Sequence, residues 1–360
     1  MTGPILIAAG GTGGHMFPAL ALGQALAGRG QAVTLITDQR GARYVGGDLP
    51  CTVVTAGSPS GSAAAKVQGL VRLARGFVES LGVLRRKRPV AAAAFGGYAC
   101  VPAALAAAAR GVPVLIHEQN AVFGRANRLI ASFAREVALS FEATSEVPAR
   151  ADLRRIVTGN PTRPGFTAAA APARSDNRFR VLVLGGSQGA RVFSDVVPAA
   201  LARLAPELRA RLDLAQQCRP EDLARVREAY AGLGLDVELA SFFSDVPARM
   251  AAADLVIARS GASTIAELLA LARPSLLVPY PHAADDHQTA NARALDAAGA
   301  AVLLPQPALT PERLAAELER LMHDPDRLEA MARAAHRLAR PDAAERLADA
   351  VLALAAEARP

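Results

Sequence analysis

The chain contains Leu6-Ile7-Ala8-Ala9-Gly10-Gly11-Thr12-Gly13-Gly14 near its start and Val181-Leu182-Val183-Leu184-Gly185-Gly186-Ser187-Gln188-Gly189 near its middle, and the two stretches correspond position for position. Each joins an apolar, strand-like run to a glycine-rich turn that precedes a segment of helical period. Such a turn lets backbone N–H groups approach a phosphate closely, and the dipole of the following helix favours negative charge. The repeat therefore predicts two domains of similar architecture, each with a turn suited to an anion.

The same alternation of short β-rich runs and Ala/Leu/Arg-rich helical segments continues along the whole chain. It is typical of a parallel sheet covered by helices on both faces. The predicted strands are 5–9, 33–37, 91–95 and 114–117 in the first half, and 180–184, 213–216, 255–258 and 275–279 in the second. We therefore predict an α/β fold with two Rossmann-like, doubly wound domains that face a central cleft.

A hinge is predicted between the two halves. The segment 159–165 is rich in glycine and proline, and an Ala/Pro/Ser stretch follows it as far as Asp176. We expect an amino-terminal domain over residues 1–163, a carboxy-terminal domain over 164–340 and a last helix over 341–360. The sequence leaves open which domain that helix contacts, although packing back on the amino-terminal domain is one expectation.

Composition limits the functional classes. No run of eighteen uncharged apolar residues occurs, and the first residues lead straight into a strand, so we expect a protein that is neither exported nor membrane-spanning. The three cysteines lie far apart, without the spacing of a zinc or redox site. A net charge of +7 favours an anionic partner, whereas an aromatic content of 4% argues against nucleic acid.

Dinucleotide binding is the first alternative for the glycine turns, because Asp38 ends the second strand where a ribose-binding acid would lie. The spacing does not fit the dinucleotide fingerprint, since Met16 stands where the third glycine belongs. Neither turn carries the lysine of a P-loop, because His15 and Ala190 follow the last glycines.

Polar clusters follow several predicted strands, at the positions that face the ligand crevice of a doubly wound sheet. They are His15, the run His117-Glu118-Gln119-Asn120, and Arg259-Ser260-Gly261. Glu267 lies on the next helix, where a carboxylate can accept both hydroxyls of a ribose. The segment 282–288 contains two histidines and two acids, but without the usual metal-ligand spacing, so we expect no metal site.

In this order the motifs resemble the MurG family of bacterial N-acetylglucosaminyltransferases, which has the GT-B fold. The resemblance covers nearly the whole chain. It is carried by 10–15 with Pro18, 95–98, 117–120 and 159–163 in the first half, and by 185–191, 259–264 with Glu267, and 286–288 with Asn291 in the second.

The resemblance implies that the amino-terminal domain binds a lipid-linked acceptor and that the carboxy-terminal domain binds the donor, UDP-N-acetylglucosamine. The implied donor-binding residues are Thr12, Gly13, Gly14, Asn120, Arg163, Ser187, Gln188, Phe243, Ala262, Ser263, Thr264, Glu267, His287 and Gln288. The implied acceptor-binding residues are Gly11, Gly14, His15, Gly97, Tyr98 and Glu118. Among the donor residues, Glu267 would hold the ribose, Ser187 and Arg163 the diphosphate, and Gln288 the sugar.

The implied reaction is an inverting transfer of N-acetylglucosamine to the 4-hydroxyl of muramoyl-pentapeptide on undecaprenyl pyrophosphate. It needs a general base, for which His15 is the first candidate and Glu118 the second. Fixed N–H groups of turn 185–189 and Arg163 would stabilise the leaving diphosphate, so no cofactor or divalent cation is expected. Three alternatives remain: a glycosyltransferase with another acceptor, a UDP-N-acetylglucosamine epimerase, and a non-catalytic protein that binds a nucleotide sugar or anionic lipid.

A lipid-linked acceptor requires work at a bilayer, and the segment 66–88 combines an apolar stripe with basic ends. The predicted membrane-contacting residues are Val67, Leu70, Leu73, Phe77, Leu81, Leu84, Arg85, Arg86, Lys87 and Arg88. An ordinary core-facing helix with a solvated charge run is the alternative. We expect a peripheral protein on the cytoplasmic face of the bacterial inner membrane.

Overall fold

The computed structural model describes residues 3–47, 49–58, 61–166, 177–186 and 189–357. The chain divides into two units, which we call unit one (Met1–Arg163 with Arg340–Pro360) and unit two (Pro164–Ala339).

Unit one is built on a seven-stranded parallel sheet in the order β3-β2-β1-β4-β5-β6-β7. Its elements are β1 (Ile5–Ala8), α1 (Gly13–Gly28), β2 (Val33–Thr37), β3 (Cys51–Val53), α2 (Ala63–Lys87), β4 (Ala91–Ala94), α3 (Val101–Ala109), β5 (Val114–Glu118), α4 (Arg125–Ala131), β6 (Glu136–Leu139) and β7 (Arg154–Val157). A short 3₁₀ helix, Gly41–Tyr44, follows β2. Helices cover both faces because alternate residues of the buried strands pack into two separate cores.

Unit two repeats this plan with a six-stranded parallel sheet in the order β10-β9-β8-β11-β12-β13. Its elements are β8 (Phe179–Leu184), α5 (Arg191–Leu201), α6 (Pro206–Arg209), β9 (Leu212–Gln217), α7 (Leu223–Ala231), β10 (Val237–Ala240), α8 (Val246–Ala252), β11 (Leu255–Ala258), α9 (Ala262–Ala270), β12 (Ser275–Leu277), α10 (His287–Ala297), β13 (Ala301–Leu303), α11 (Pro311–His323) and α12 (Pro325–Leu338).

The last helix, α13 (Ala343–Glu357), belongs to unit one, where it packs on α1 and β4. Leu347, Val351 and Leu354 are buried in the same core as the inner residues of β1. Arg154 of β7 donates to Glu357 over 2.7 Å and pairs with the buried Glu136 over 2.8 Å. Apolar burial and ion pairing therefore both hold the carboxy-terminal helix against the amino-terminal sheet.

In each sheet the strand before the glycine turn occupies a central position: β1 lies between β2 and β4, and β8 lies between β9 and β11. Strand order reverses at these positions, and the carboxyl ends of the strands there form the usual ligand crevice of doubly wound sheets. The predicted α/β class with two Rossmann-like domains is confirmed. Within the described ranges, no helix combines the length and apolar character needed to span a membrane.

Candidate functional site

The glycine turn of unit one is held by Asp38, which follows β2. Its Oδ1 accepts hydrogen bonds from the backbone N–H of Gly11 over 2.9 Å and of Gly41 over 2.8 Å. Gly11 has a φ of +84°, a conformation that favours glycine. The residue that stands at the position of a ribose-binding acid is therefore engaged in shaping the turn, which removes the main argument for a dinucleotide.

His15 lies in the first turn of α1 and faces the turn between β4 and α3. A methyl group built on Gly97 would lie 3.3 Å from His15 Nδ1, and one built on Gly96 would lie 3.4 Å from its Cδ2. Both glycines have positive φ, so any side chain there would be strained as well as crowded. Two predicted acceptor residues, His15 and Gly97, are thus brought together.

His117, at the end of β5, is completely buried and has a defined hydrogen-bond arrangement. Its Nε2 lies 3.0 Å from the Gly159 carbonyl oxygen, and its Nδ1 accepts from Gln119 Nε2, also over 3.0 Å. These partners place the single ring proton on Nε2. Burial lowers the pKa of His117 to about 4, with the positive field of His15 as a smaller cause. The ring is therefore a neutral link between the β5 loop and Gly159.

Glu118 is only 1% exposed, and both of its carboxylate oxygens are engaged within its own loop. Oε1 accepts from the backbone and side-chain nitrogens of Asn120, while Oε2 accepts from Gly124 N–H over 2.9 Å and from Asn127 Nδ2 over 2.7 Å. Burial raises the pKa of Glu118, although the four donors oppose that shift. In this arrangement neither oxygen is open to a substrate hydroxyl, so the geometry runs against Glu118 as the second candidate base.

Asn127 of α4 belongs to this cluster and was missed by the sequence reasoning. Its Nδ2 bonds Glu118, while its buried Oδ1 has no hydrogen-bond partner among the described residues. It also faces the β4 turn, since a methyl group on Gly96 would lie 3.4 Å from it. The only available sequence signal was a polar residue between the buried Ala126 and Ile130 in a short helix.

Arg163, at the end of the first segment of unit one, places its guanidinium carbon 4.6 Å from the centre of the Phe17 ring. Phe17 in turn packs edge-on against Tyr44, with ring centres 5.4 Å apart. The structure therefore places this predicted diphosphate ligand beside α1.

The glycine turn of unit two is held differently. Gly185 N–H donates to Gln217 Oε1 over 3.1 Å, and Gln217 Nε2 donates to the Ser241 carbonyl over 3.3 Å. Gly189 has a φ of +69°, and a methyl group on it would lie only 2.6 Å from Arg219 Cγ. Two predicted donor-binding residues, Ser187 and Gln188, lie outside the described residues.

The predicted donor-binding residues of α9 follow the neighbouring strand β11, so they share the carboxyl edge with this turn. Ala262 and Glu267 are buried, and the Ser263 hydroxyl is buried without a hydrogen-bond partner in the described chain. Phe243 is also buried, beneath the guanidinium of Arg249 at 4.3 Å, whereas the adjacent Phe242 is 75% exposed.

The loop between β12 and α10 is tied to the β11 turn. Ser260 Oγ donates to the Gln288 carbonyl over 2.8 Å, and Asn291 Nδ2 donates to the Ser260 carbonyl over 3.1 Å. Gln288 Oε1 accepts from Tyr280 N–H over 3.0 Å, which fixes the amide so that Nε2 can act as a donor. His287 Nδ1 lies 2.7 Å from the Ala284 carbonyl.

The place of Arg259 after β11 suggested that its guanidinium would face a ligand. The structure instead shows the guanidinium bonded to other loops of unit two. It donates to the Val278 and Pro279 carbonyls over 3.0 and 2.9 Å, and to Gln306 Oε1 over 2.6 Å. Its function in this structure is to join three loops of unit two. Among the residues that the structure describes, no group of three or more His, Cys, Asp or Glu side chains is placed to hold a metal ion.

Helix α2 separates its apolar residues onto two faces. Val67, Leu70, Val71 and Val78 are each more than half exposed. In contrast, Leu73, Phe77 and Leu81 pack on the core, and Leu84 is buried. Of the residues predicted to contact a membrane, these four lie on the face that attaches α2 to unit one, whereas Val67 and Leu70 lie on the outward face. The basic run 85–88 is exposed.

Comparison with known proteins covers both units. Residues 5–139 match the glycosyltransferase family 28 N-terminal domain, and residues 180–347 match the family 28 C-terminal domain. A Paramagnetospirillum magneticum protein is 50% identical to this chain over 357 residues, which are 97% of this chain and 96% of that protein. It is named UDP-N-acetylglucosamine–N-acetylmuramyl-(pentapeptide) pyrophosphoryl-undecaprenol N-acetylglucosamine transferase. The chain is 52% identical to the protein of the same name from Rhodospirillum rubrum, over 98% of this chain and 92% of the relative.

Among solved structures, the crystal structure of MurG from Acinetobacter baumannii superposes with a TM-score of 0.81 at 30% identity, covering 98% of this chain and 99% of that one. The chain belongs to the MurG family. A UDP-N-acetylglucosamine 2-epimerase from Neisseria meningitidis is also similar, with a TM-score of 0.66 at 14% identity over 97% of this chain and 100% of that one. That likeness shows a shared fold alone, so MurG membership favours the transferase over the epimerase.

Proposed function

We propose that this MurG-family chain transfers N-acetylglucosamine from UDP-N-acetylglucosamine to undecaprenyl-pyrophosphoryl-muramoyl-pentapeptide, with inversion at the anomeric carbon. The observation that carries this proposal is a sequence identity of 50–52%, over nearly the full length of the chain, to transferases named for these substrates. The architecture within each unit supports the proposal, because each sheet presents a glycine turn and polar side chains at its carboxyl edge.

Unit two is proposed to bind the donor. The buried Glu267 would accept hydrogen bonds from the ribose hydroxyls, and the Gly185–Gly189 turn with the start of α5 would face the diphosphate. Gln288 would donate from Nε2 to a sugar hydroxyl, because Tyr280 N–H already holds its oxygen. In this proposal Glu267 would be the hydrogen-bond acceptor for the ribose, and the turn and Gln288 would be the donors for the diphosphate and the sugar.

Unit one is proposed to bind the acceptor and to supply the base. His15 is half-buried at the first turn of α1, beside Gly97 of the predicted acceptor site. An imidazole in that position can serve as a general base. Glu118 organises the neighbouring loop instead, since four donors surround its carboxylate. We therefore assign proton removal from the muramoyl 4-hydroxyl to His15.

The leaving UDP carries the charge that develops in the reaction. Fixed backbone N–H groups and a guanidinium can stabilise it without reorganisation, which is the contribution that electrostatic preorganisation makes to catalysis. We assign this task to the unit-two turn and to Arg163, and no step requires a divalent cation. Activity that is lost with a chelator and restored by Mg²⁺ would contradict this assignment.

The outward face of α2 is proposed to contact the lipid surface that carries the acceptor, on the cytoplasmic side of the inner membrane. Val67, Leu70, Val71 and Val78 are exposed on a helix that ends in the basic run 85–88. A Val67→Asp/Leu70→Asp double variant should lose binding to vesicles that contain anionic lipid. Ala224→Asp/Ala229→Asp on exposed positions of α7 adds the same charge and should bind as the wild type does.

One assay tests the activity and separates its alternatives. The protein is incubated with labelled UDP-N-acetylglucosamine, with and without the undecaprenyl-pyrophosphoryl acceptor. Label that becomes lipid-extractable only with acceptor supports the transferase. An epimerised nucleotide sugar in the absence of acceptor, or bound and unchanged donor in its presence, would instead support the epimerase or the non-catalytic binder.

A further inference from the structure

Arg40 lies beside the glycine turn of unit one and is the third residue after β2. Its Nε donates to Asp38 Oδ2 over 3.3 Å. A methyl group built on Gly11 would lie 3.3 Å from Arg40 Nη2, so the guanidinium lies alongside the turn itself. The side chain of Arg40 is 72% exposed, whereas that of Asp38 is only 10% exposed. Asp38 is therefore built into the fold, whereas the guanidinium of Arg40 is accessible to a ligand.

The amides of this turn are divided between structure and ligand. Asp38 uses the N–H of Gly11, whereas those of Thr12, Gly13 and Gly14 make no hydrogen bond within the described chain. The first N–H groups of a helix normally lack an intrahelical partner and point toward any anion at its end. Helix α1 also has no acidic residue in its first turn.

Charge balance explains why an arginine is needed here. The Asp38 carboxylate is 2.9 Å from the Gly11 nitrogen, so its negative charge would repel a phosphate placed at the same turn. The guanidinium of Arg40 neutralises that carboxylate and still directs N–H groups toward solvent at the edge of the turn.

We propose that Arg40 binds the diphosphate of the lipid-linked acceptor, and that Asp38 is a positioning residue that holds both the turn and Arg40. This inference rests on the proposed function, because it takes unit one as the acceptor-binding unit. It assigns to the acceptor the N–H groups of Thr12 and Gly13, which the resemblance had implied for the donor. It adds to that function a specific cation for the acceptor, separate from Arg163, which is assigned to the donor.

The test compares Arg40→Ala with Arg43→Ala in steady-state transfer assays. Arg43 is an exposed arginine of the same 3₁₀ helix region, so the two variants lose equal charge three residues apart. Loss of a charge-assisted contact to phosphate should lower kcat/KM for the acceptor about 10- to 100-fold in Arg40→Ala, and less than about twofold in Arg43→Ala. The KM for UDP-N-acetylglucosamine should stay within about twofold in both.

Two further measurements make the result specific. Inorganic pyrophosphate, used as an inhibitor competitive with the acceptor, should bind more weakly to Arg40→Ala than to Arg43→Ala, and the difference should shrink as salt is added. Asp38→Asn retains an oxygen for Gly11 and Gly41 but loses the charge that holds Arg40. It should raise the acceptor KM while the donor KM and the melting temperature change little.

Equal acceptor kinetics in Arg40→Ala and Arg43→Ala would overturn the inference, as would a defect in the donor KM alone. If the wild-type chain transfers no label to the lipid acceptor, the proposed function itself fails. Arg40→Lys keeps the charge without the planar fork and should recover part of the acceptor affinity, an effect that misfolding would not produce.

Discussion

The buried His117 makes a specific prediction about acid stability. Its imidazole is enclosed, neutral and hydrogen-bonded through both nitrogens, to Gly159 and Gln119. Protonation would place a charge in the interior and remove the acceptor that Gln119 uses. His117→Gln preserves an N–H donor for Gly159 and an oxygen acceptor for Gln119, but it cannot be protonated in this range. The wild type should therefore lose stability in acid that the variant retains.

The magnitude follows from the pKa of His117, which burial lowers from 6.5 to about 4. Between these values the unfolded chain binds a proton that the folded chain does not, so folding stability decreases as the pH falls from 6.5 toward 4. The slope should approach about 1.4 kcal/mol per pH unit, and the total loss should be about 3 kcal/mol. Below pH 4 this contribution should become constant, because both states then bind the proton.

The assay is urea unfolding at several pH values between 7 and 4.5, with hydrogen exchange in the β5 peptides reporting on unit one. Other groups also titrate in this range, so the quantity of interest is the difference between the wild type and His117→Gln. His336→Gln removes an exposed imidazole from unit two and serves as the control. Parallel stability profiles for the wild type and His117→Gln would refute the reasoning.

Three other substitutions test the proposed site. His15→Ala should lower turnover by about two to four orders of magnitude with little change in donor affinity, and near-normal turnover would remove His15 as the base. Glu118→Gln replaces one carboxylate oxygen by an NH₂ group, which would face two hydrogen-bond donors. It should therefore destabilise unit one by about 2–4 kcal/mol and lower its melting temperature by about 5–10 °C. An unchanged melting temperature would contradict the assignment of Glu118 as the anchor of its loop. Gln288→Glu keeps the oxygen that Tyr280 N–H requires but loses the Nε2 donor, so kcat/KM for the donor should fall about 10- to 100-fold in competition assays, whereas an unchanged value would exclude that contact.

Hydrophobic patterning was sufficient to predict the central strands of both sheets. β1, β4 and β11 contain only apolar residues and β8 contains a single polar one, and burial on both faces gives such runs a clear signal. The strands that hydrophobic patterning did not predict lie mainly at the edges of the sheets. β7 begins with Arg154 and Arg155, and β10 is partly exposed, so pairing with β6 and β9 defines them more than their own composition does.

The polar residues of the site were predictable in position but not in direction. Asp38 and Arg259 follow strands at the carboxyl edge and Glu118 is the last residue of β5, as expected from their place in the sequence. Their side chains nevertheless bond to neighbouring loops, because backbone N–H and carbonyl groups at those turns need partners. Only the three-dimensional arrangement shows which polar group is used by the protein and which remains for a ligand. The same limit applies to α2, where helical spacing could not distinguish the face toward unit one from the face toward solvent.

The two glycine turns began as equivalent motifs, but the structure shows that they are held by different chemistry at the same topological position. The strand next to β1 is followed by Asp38, and the strand next to β8 ends in Gln217. Each side chain accepts a hydrogen bond from a glycine N–H of its turn, over 2.9 and 3.1 Å respectively. An amide can hold a turn without repelling the anion bound there, whereas a carboxylate cannot unless a cation compensates for it. This difference explains why the carboxylate that holds the unit-one turn is paired with an arginine. It also predicts that Arg40→Ala should raise the acceptor KM by a smaller factor when it is combined with Asp38→Asn than in the wild type, because both substitutions remove the same pair.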